Sequence, residues 1–167
     1  MKNGLIVADA GPIFSLALVK QLGLLTRLFD GVKIPKAVWN EITLDDKTLI
    51  YNDLKTFFTN KVVEISSFNE LTFIMDYGES EAVILYKELQ ADFLLIDDKK
   101  ARKVAENFEI QCVGTLGLLV SAKNKGLIEE LKPIFVTFIA NKRFYSIELL
   151  NTILQDQGEQ LLDDHEL

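Results

Sequence analysis

Two continuous apolar runs in this chain each end on aspartate. Leu5-Ile6-Val7-Ala8 stops at Asp9, with Gly11-Pro12 just beyond, and Phe93-Leu94-Leu95-Ile96 stops at Asp97-Asp98. A strand that is apolar at every position, rather than at every second one, has to be covered on both faces, which is the signature of a parallel sheet. Three shorter runs of strand type are Val32-Lys33-Ile34 before Pro35, residues 62–65, and residues 110–113 before Gly114. Between these lie segments with helical spacing: 13–20, 21–29, 36–42, 47–58, 80–90, 99–108, 116–125, 129–140 and 146–155. In 80–90, for example, Ala82, Leu85, Tyr86 and Leu89 share one helical face. Strands alternating with helices predict an α/β fold with a central, mostly parallel sheet of about five strands flanked by helices on both faces.

At 167 residues, with 49% hydrophobic and 26% charged side chains, the chain has the size and balance of one folded domain. Its apolar runs stop far short of the ~18 to 20 residues needed to span a bilayer. Asp9 also interrupts the first run before it could serve as the core of a secretory leader. The expectation is a soluble, cytoplasmic protein with no membrane association. One cysteine, Cys112, cannot form an internal disulfide, and one histidine, His165, cannot by itself build a zinc site or a hydrolytic triad. Chemistry is left to carboxylates, hydroxyls, lysines or a bound cofactor. The net charge of −7 does not exclude a nucleic-acid partner, because five acids (Asp156, Glu159, Asp163, Asp164, Glu166) lie after residue 155 and the remainder is nearly neutral.

In open parallel sheets, reacting groups gather beyond the carboxyl ends of the strands, where the strand order reverses. Asp9 and Asp97-Asp98 sit at two such ends and converge if the first and fourth strands are neighbours. Glu41, in Val38-Trp39-Asn40-Glu41-Ile42, and Glu79 with Glu81, in Gly78-Glu79-Ser80-Glu81-Ala82, are further acids on helices.

These residues carry a family resemblance. Ile6-Val7-Ala8-Asp9-Ala10-Gly11-Pro12 followed by Ile34-Pro35-x-x-Val38-Trp39-x-Glu41-Ile42 resembles the opening half of the PIN-domain nucleases. Gly78-Glu79-Ser80-Glu81-Ala82, Leu94-Leu95-Ile96-Asp97-Asp98-Lys99-Lys100-Ala101-Arg102 and Val113-Gly114-Thr115-Leu116-Gly117-Leu118-Leu119 look like a prokaryotic branch close to the VapC-type toxins. The resemblance implies a PIN-like nuclease domain over 1–155, followed by an acidic, flexible tail over 156–167. It places the family's catalytic and metal-binding quartet on Asp9, Glu41, Glu81 and Asp98. Asp97 is a further candidate ligand, and Glu79 is a rival to Glu81, since the toxins usually carry aspartate at the third position. Thr115 could hold a metal-bound water, although helix capping is its ordinary role, and Lys99, Lys100 and Arg102 could contact phosphates.

Two carboxylates ~4 Å apart at an effective dielectric near 20 repel by about 4 kcal/mol, so a cluster of acids calls for a cation. All-oxygen ligands suit Mg²⁺ or Mn²⁺, and such ions activate water for in-line attack on a phosphodiester. The resemblance further implies RNA as substrate, a small antitoxin protein as partner and a homodimer. The competing expectation is a catalytically inert PIN-like module that binds RNA or a protein. The aromatic residues read as mostly core-spaced, with Trp39 read as core packing rather than as a base-stacking residue, so no base-stacking platform is expected.

Overall fold

In the computed structural model, which describes residues 3–143 and 145–167, β1 (Leu5–Ala8) is the central strand of a five-stranded sheet. The others are β2 (Gly31–Pro35), β3 (Val62–Val63), β4 (Phe93–Leu95) and β5 (Cys112–Val113), in the order β3-β2-β1-β4-β5, and every pairing is parallel. Val7 lies between Lys33 of β2 and Leu94 of β4. Ile6, Val7 and Ala8 are wholly buried, as the continuous apolar run requires. The first and fourth strands are neighbours, and the Asp9 amide extends their ladder by donating to the Leu95 carbonyl at 2.9 Å. From β1 the chain builds outward to β2 on one side and later to β4 on the other, so the order reverses beside β1.

Nine α-helices occur among the described residues: α1 (Ala10–Leu18), α2 (Gly23–Leu28), α3 (Lys36–Ile42), α4 (Tyr51–Phe58), α5 (Tyr77–Leu89), α6 (Lys99–Asn107), α7 (Thr115–Asn124), α8 (Lys132–Ala140) and α9 (Ile147–Asp156). None is long and apolar enough to cross a membrane. The most consequential departure from the sequence pattern is α5, which begins at Tyr77 rather than near residue 80. Asp76 and Glu79 close a reciprocal capping box there: the Asp76 carboxylate accepts from the backbone three residues on, and Glu79 reaches back to the Asp76 amide. A 3₁₀ turn at Glu70–Phe73 precedes it.

The chain forms two compact units, within Met1–Thr115 and Leu116–Leu167. The sheet and all the acids singled out above belong to the first. In the second, Phe135 and Phe138 of α8 and Leu150 and Leu154 of α9 are fully buried. Glu159, in the acidic 156–167 segment, accepts from the Leu131 and Lys132 amides (2.8 Å each) at the start of α8 and pairs with Lys123 of α7. Burial opposes ionisation of Glu159, but these hydrogen bonds outweigh it and hold the carboxyl below its ordinary range. In the same segment the amide of buried Leu162 donates to Asn151 Oδ1 at 2.8 Å, and Glu166 pairs with Lys132 at 3.2 Å.

Candidate active site

Above the carboxyl ends of β1 and β4 lies a cavity of about 190 Å³ lined by Asp9, Gly11, Pro12, Glu41, Asp76, Gly78, Glu79, Asp97 and Asp98. Six of these nine residues are acids, and among the described residues no histidine, cysteine, lysine or arginine lines the cavity. Each acid arrives by a different local device. Asp9 follows β1 and precedes α1, and only 7% of it is exposed. Glu41 is the penultimate residue of α3, whose Ala37, Val38 and Ile42 are buried and turn the helix so that Glu41 reaches the crevice. Asp98 caps α6, one carboxylate oxygen accepting from the Ala101 amide at 2.8 Å. Asp97 is clamped by Thr115: the Thr115 amide donates to Oδ1 at 2.8 Å and its hydroxyl to Oδ2 at 2.6 Å. Thr115 is fully buried and meets the crevice only through Asp97.

Glu81 does not come to the crevice. Only 6% of it is exposed, and its Oε2 accepts from the Ala37 amide at 2.8 Å, satisfying one of the unpaired donors at the first turn of α3. The reason is helical geometry. At 3.6 residues per turn, positions 79 and 81 lie on nearly opposite sides of α5, so one acid faces the crevice and the other faces α3. The structure therefore brings Asp9, Glu41, Asp97 and Asp98 together with Glu79, and leaves Glu81 outside the residues that line this cavity. Arg102 is likewise committed elsewhere, to Glu106 at 3.1 Å and, at 3.5 Å, to the Cys112 carbonyl. Lys99 and Lys100 are exposed at the start of α6, directly after Asp98. Asp76 is the lining acid that sequence reasoning passed over. Its signal was present in the Asp-x-x-Glu spacing of 76–79, a helix-start pattern.

Burial first, and the charges of neighbouring acids second, raise the proton affinity of Asp9, Glu41 and Glu79. Asp9 is pushed from the ordinary 3.8 to about 7, chiefly by burial; the Ala10 amide pulls the other way, and the charges of Glu79, Glu41 and Asp97 add to the rise. Glu41 is raised by burial and then by Asp76. Glu79 is raised by burial and by Asp98, with the Asp76 amide opposing and the Asp76 and Glu41 charges adding. A divalent cation would relieve this repulsion. Among the described residues no three acids are close enough to form a closed cation cage. Mg²⁺ does not need one, since it keeps several waters and binds through one or two carboxylates together with substrate phosphate.

Gly78 keeps the crevice open. A Cβ at this position would stand 2.9 Å from Glu41 Oε2 and 3.7 Å from Asp9 Oδ1, so the two carboxylates converge on the space a side chain would fill. This cradle and the all-oxygen donor set fit a hard divalent cation. Gly78→Ala should push the Glu41 carboxylate aside, because it is the mobile end of a side chain. Thermal unfolding should be unchanged or slightly improved, while any activity of the crevice falls by about tenfold, equivalent to about 1.4 kcal/mol.

A crevice of acids at the reversal point of a parallel sheet defines an α/β domain with a carboxylate-lined cavity. A family model described as a PIN domain matches residues 5–159, through both compact units, and the chain belongs to the PIN-domain family. PIN domains are in general nucleases, with nucleic acid as their substrate. No curated protein and no solved structure gives a significant match to the chain.

Proposed function

We propose that this protein is a Mg²⁺- or Mn²⁺-dependent endoribonuclease that acts in the cytoplasm as the toxin of a toxin–antitoxin pair. The observation that carries the enzymatic part is the convergence of six carboxylates on one cavity, with Asp9 buried and its ionisation opposed by that burial and by its acidic neighbours. The toxin reading, with its small antitoxin and homodimer, rests on the motif resemblance to VapC-type proteins.

In this reading one or two of Asp9, Glu41 and Glu79 would hold the cation together with substrate phosphate, with Asp97 and Asp98 beside them. Once bound, the cation supplies an activated water and a counter-charge for the leaving oxygen. The protein's own contribution is placement. Thr115 fixes both oxygens of Asp97, the Ala101 amide fixes one oxygen of Asp98, and the capping box fixes Glu79 against Asp76. Gly78 leaves the volume in which Glu41 and Asp9 approach each other.

The test is incubation of the purified protein with single-stranded and structured RNA in Mg²⁺, Mn²⁺ or chelator, beside a melting scan. Cutting should require the metal. Metal at a hundredfold excess over its Kd should also stabilise the fold by about 2.7 kcal/mol. Cleavage that persists in chelator would overturn the metal-dependent reading. Absence of both cleavage and metal-dependent stabilisation would favour the inert binding module. Growth arrest on expression, lost in an inactive variant, tests the toxin role.

A further inference from the structure

The aromatic residues are mostly core-spaced in the sequence, but three that are exposed fall in one stretch. Phe58, Phe135 and Phe138 are buried, but Phe68, Phe73 and Tyr77 are 83%, 86% and 62% exposed. All three lie in 66–77, the stretch that leads into the acid crevice. Tyr77 is bonded directly to Asp76 and Gly78, both crevice residues, which places its Cα ~3.8 Å from each of theirs. Phe73 ends the 3₁₀ turn, three residues before Asp76.

Local order holds these rings outward. Leu71 and Met75, four residues apart, are anchored in the core beneath the segment, and the amides of Ile74 and Met75 both donate to the Leu71 carbonyl. Glu88 of α5 accepts from the Ser66 and Ser67 amides at 2.9 and 2.7 Å. The Asn69 side-chain amide donates to Ser80 Oγ at 2.8 Å. The backbone is thus tied to α5 while the apolar rings face water. Elsewhere in the protein, surface rings lie beneath lysines: Phe57 under Lys61 at 4.4 Å, Phe108 under Lys87 at 3.8 Å, and Tyr51 under Lys55 at 5.8 Å. Among the described residues Phe68, Phe73 and Tyr77 have neither a ring nor a cation against them.

The other border of the crevice has the opposite chemistry. Asp98 is followed by exposed Lys99, Lys100 and Lys103 on α6. An acidic crevice with the exposed Tyr77 between two of its lining residues, exposed Phe73 and Phe68 in the stretch leading to it, and ammonium groups following Asp98 matches a strand whose bases and phosphates are both accessible, and a duplex hides its base faces. We propose that Phe73 and Tyr77, extended by Phe68, form a base-stacking rim that delivers unpaired nucleotides to the crevice while Lys99 and Lys100 contact the phosphates. The rim makes single-stranded, flexible segments the preferred substrate, and it rests on the nuclease reading above for its link to cleavage. Stacking works with any base, so the rim contributes affinity with little sequence preference. It also offers binding energy that does not depend on charge at a site whose own acids repel phosphate.

The experiment measures anisotropy of labelled single-stranded and duplex RNA in chelator, where no metal-dependent cutting intrudes, with cleavage in Mn²⁺ as a separate readout. Phe73→Ala and Tyr77→Ala should each weaken single-strand binding by about tenfold. Tyr77→Phe should keep it, and Phe73→Leu, apolar but unable to stack, should not. The dependence of binding on salt should be unchanged in these variants but shallower in Lys99→Ala and Lys100→Ala. Quenching of 2-aminopurine placed in the single strand should be lost with the rings. Equal affinity of the wild type for single strand and duplex, no binding at all, or wild-type binding by the alanine or leucine variants would each overturn the rim. Loss of binding in the alanine variants of a protein that cuts no RNA would uphold the rim and overturn the nuclease. Normal cutting with no effect of the alanine substitutions would do the reverse.

Discussion

Asp9→Asn is expected to abolish RNA cleavage and, in the metal-free protein near neutral pH, to make the fold more stable. The two effects have one cause. Asp9 is a buried carboxylate beside Glu79, Glu41 and Asp97, which is favourable for holding a cation and unfavourable for a charge without one. Removing the anion takes away a cation-holding group in a reaction where the metal contributes several kcal/mol, so a loss of about a thousandfold, or about 4 kcal/mol, is the scale to expect.

The stability effect has a definite sign. Asp9 titrates at about 7 in the folded chain and near its ordinary 3.8 when unfolded. Below pH ~4 both states hold the proton and the group is neutral in the balance. Between about 4 and 7 the unfolded chain gives up its proton while the native chain retains it, so native stability falls as pH rises. Above 7 the penalty is complete, with a ceiling of about 4 kcal/mol for a shift of this size. Urea unfolding in chelator from pH 4 to 8 should therefore show a declining stability in the wild type and a flatter curve in Asp9→Asn. Saturating Mn²⁺ should remove much of the wild-type decline, because ligation favours the ionised carboxylate. An Asp9→Asn protein less stable than wild type at pH 8 in chelator would show that the native state does not strain this charge.

The parts of this arrangement that depend on strands were readable in the sequence. Continuous apolar runs ending on Asp9 and Asp97 specify buried parallel strands, and the outward growth of such sheets makes β1 and β4 neighbours. Glu41 was also within reach, since Val38 and Ile42 mark the buried side of α3 and leave the acid on another face. The placement of Glu79 and Glu81 was harder. Two glutamates two positions apart look equivalent until the neighbour on each side of α5 is known, and that neighbour is set by tertiary packing. Burial inverts the usual cue here: Glu81 is the more buried of the two because it serves an amide of α3. The start of α5 was misplaced because Tyr77 and Gly78 are indifferent helix formers, and the capping box of Asp76 and Glu79 overrides them. The exposed rings of 66–77 were hidden for a different reason. Leu71 and Met75 carry the helical spacing that buries this segment, and composition does not reveal that Phe73 and Tyr77 fall on the outer side.

That division of labour between Glu79 and Glu81 leads to the second test, in which neighbouring glutamates on one helix should give opposite phenotypes. Glu79→Gln keeps the shape of the side chain and its capacity to complete the capping box with Asp76, a role glutamine fills as well as glutamate. It removes the charge from the crevice. Cleavage should drop by roughly a hundredfold, about 2.7 kcal/mol, with the melting temperature of the chelated protein unchanged or raised, since burial and Asp98 disfavour that charge. Glu81→Gln should retain an oxygen for the Ala37 amide and with it most of the activity and stability. Glu81→Ala should leave that buried amide without an acceptor and lower stability by about 1 to 3 kcal/mol, a fall of several degrees for a chain of this length. The protein that remains folded should cut within about a factor of two of the wild-type rate. The comparison is decisive because stability and turnover are measured on the same three proteins. If Glu81→Gln loses both cleavage and metal-induced stabilisation while Glu79→Gln keeps them, the third cation-holding acid is Glu81, and α5 must turn relative to α3 when the cation binds.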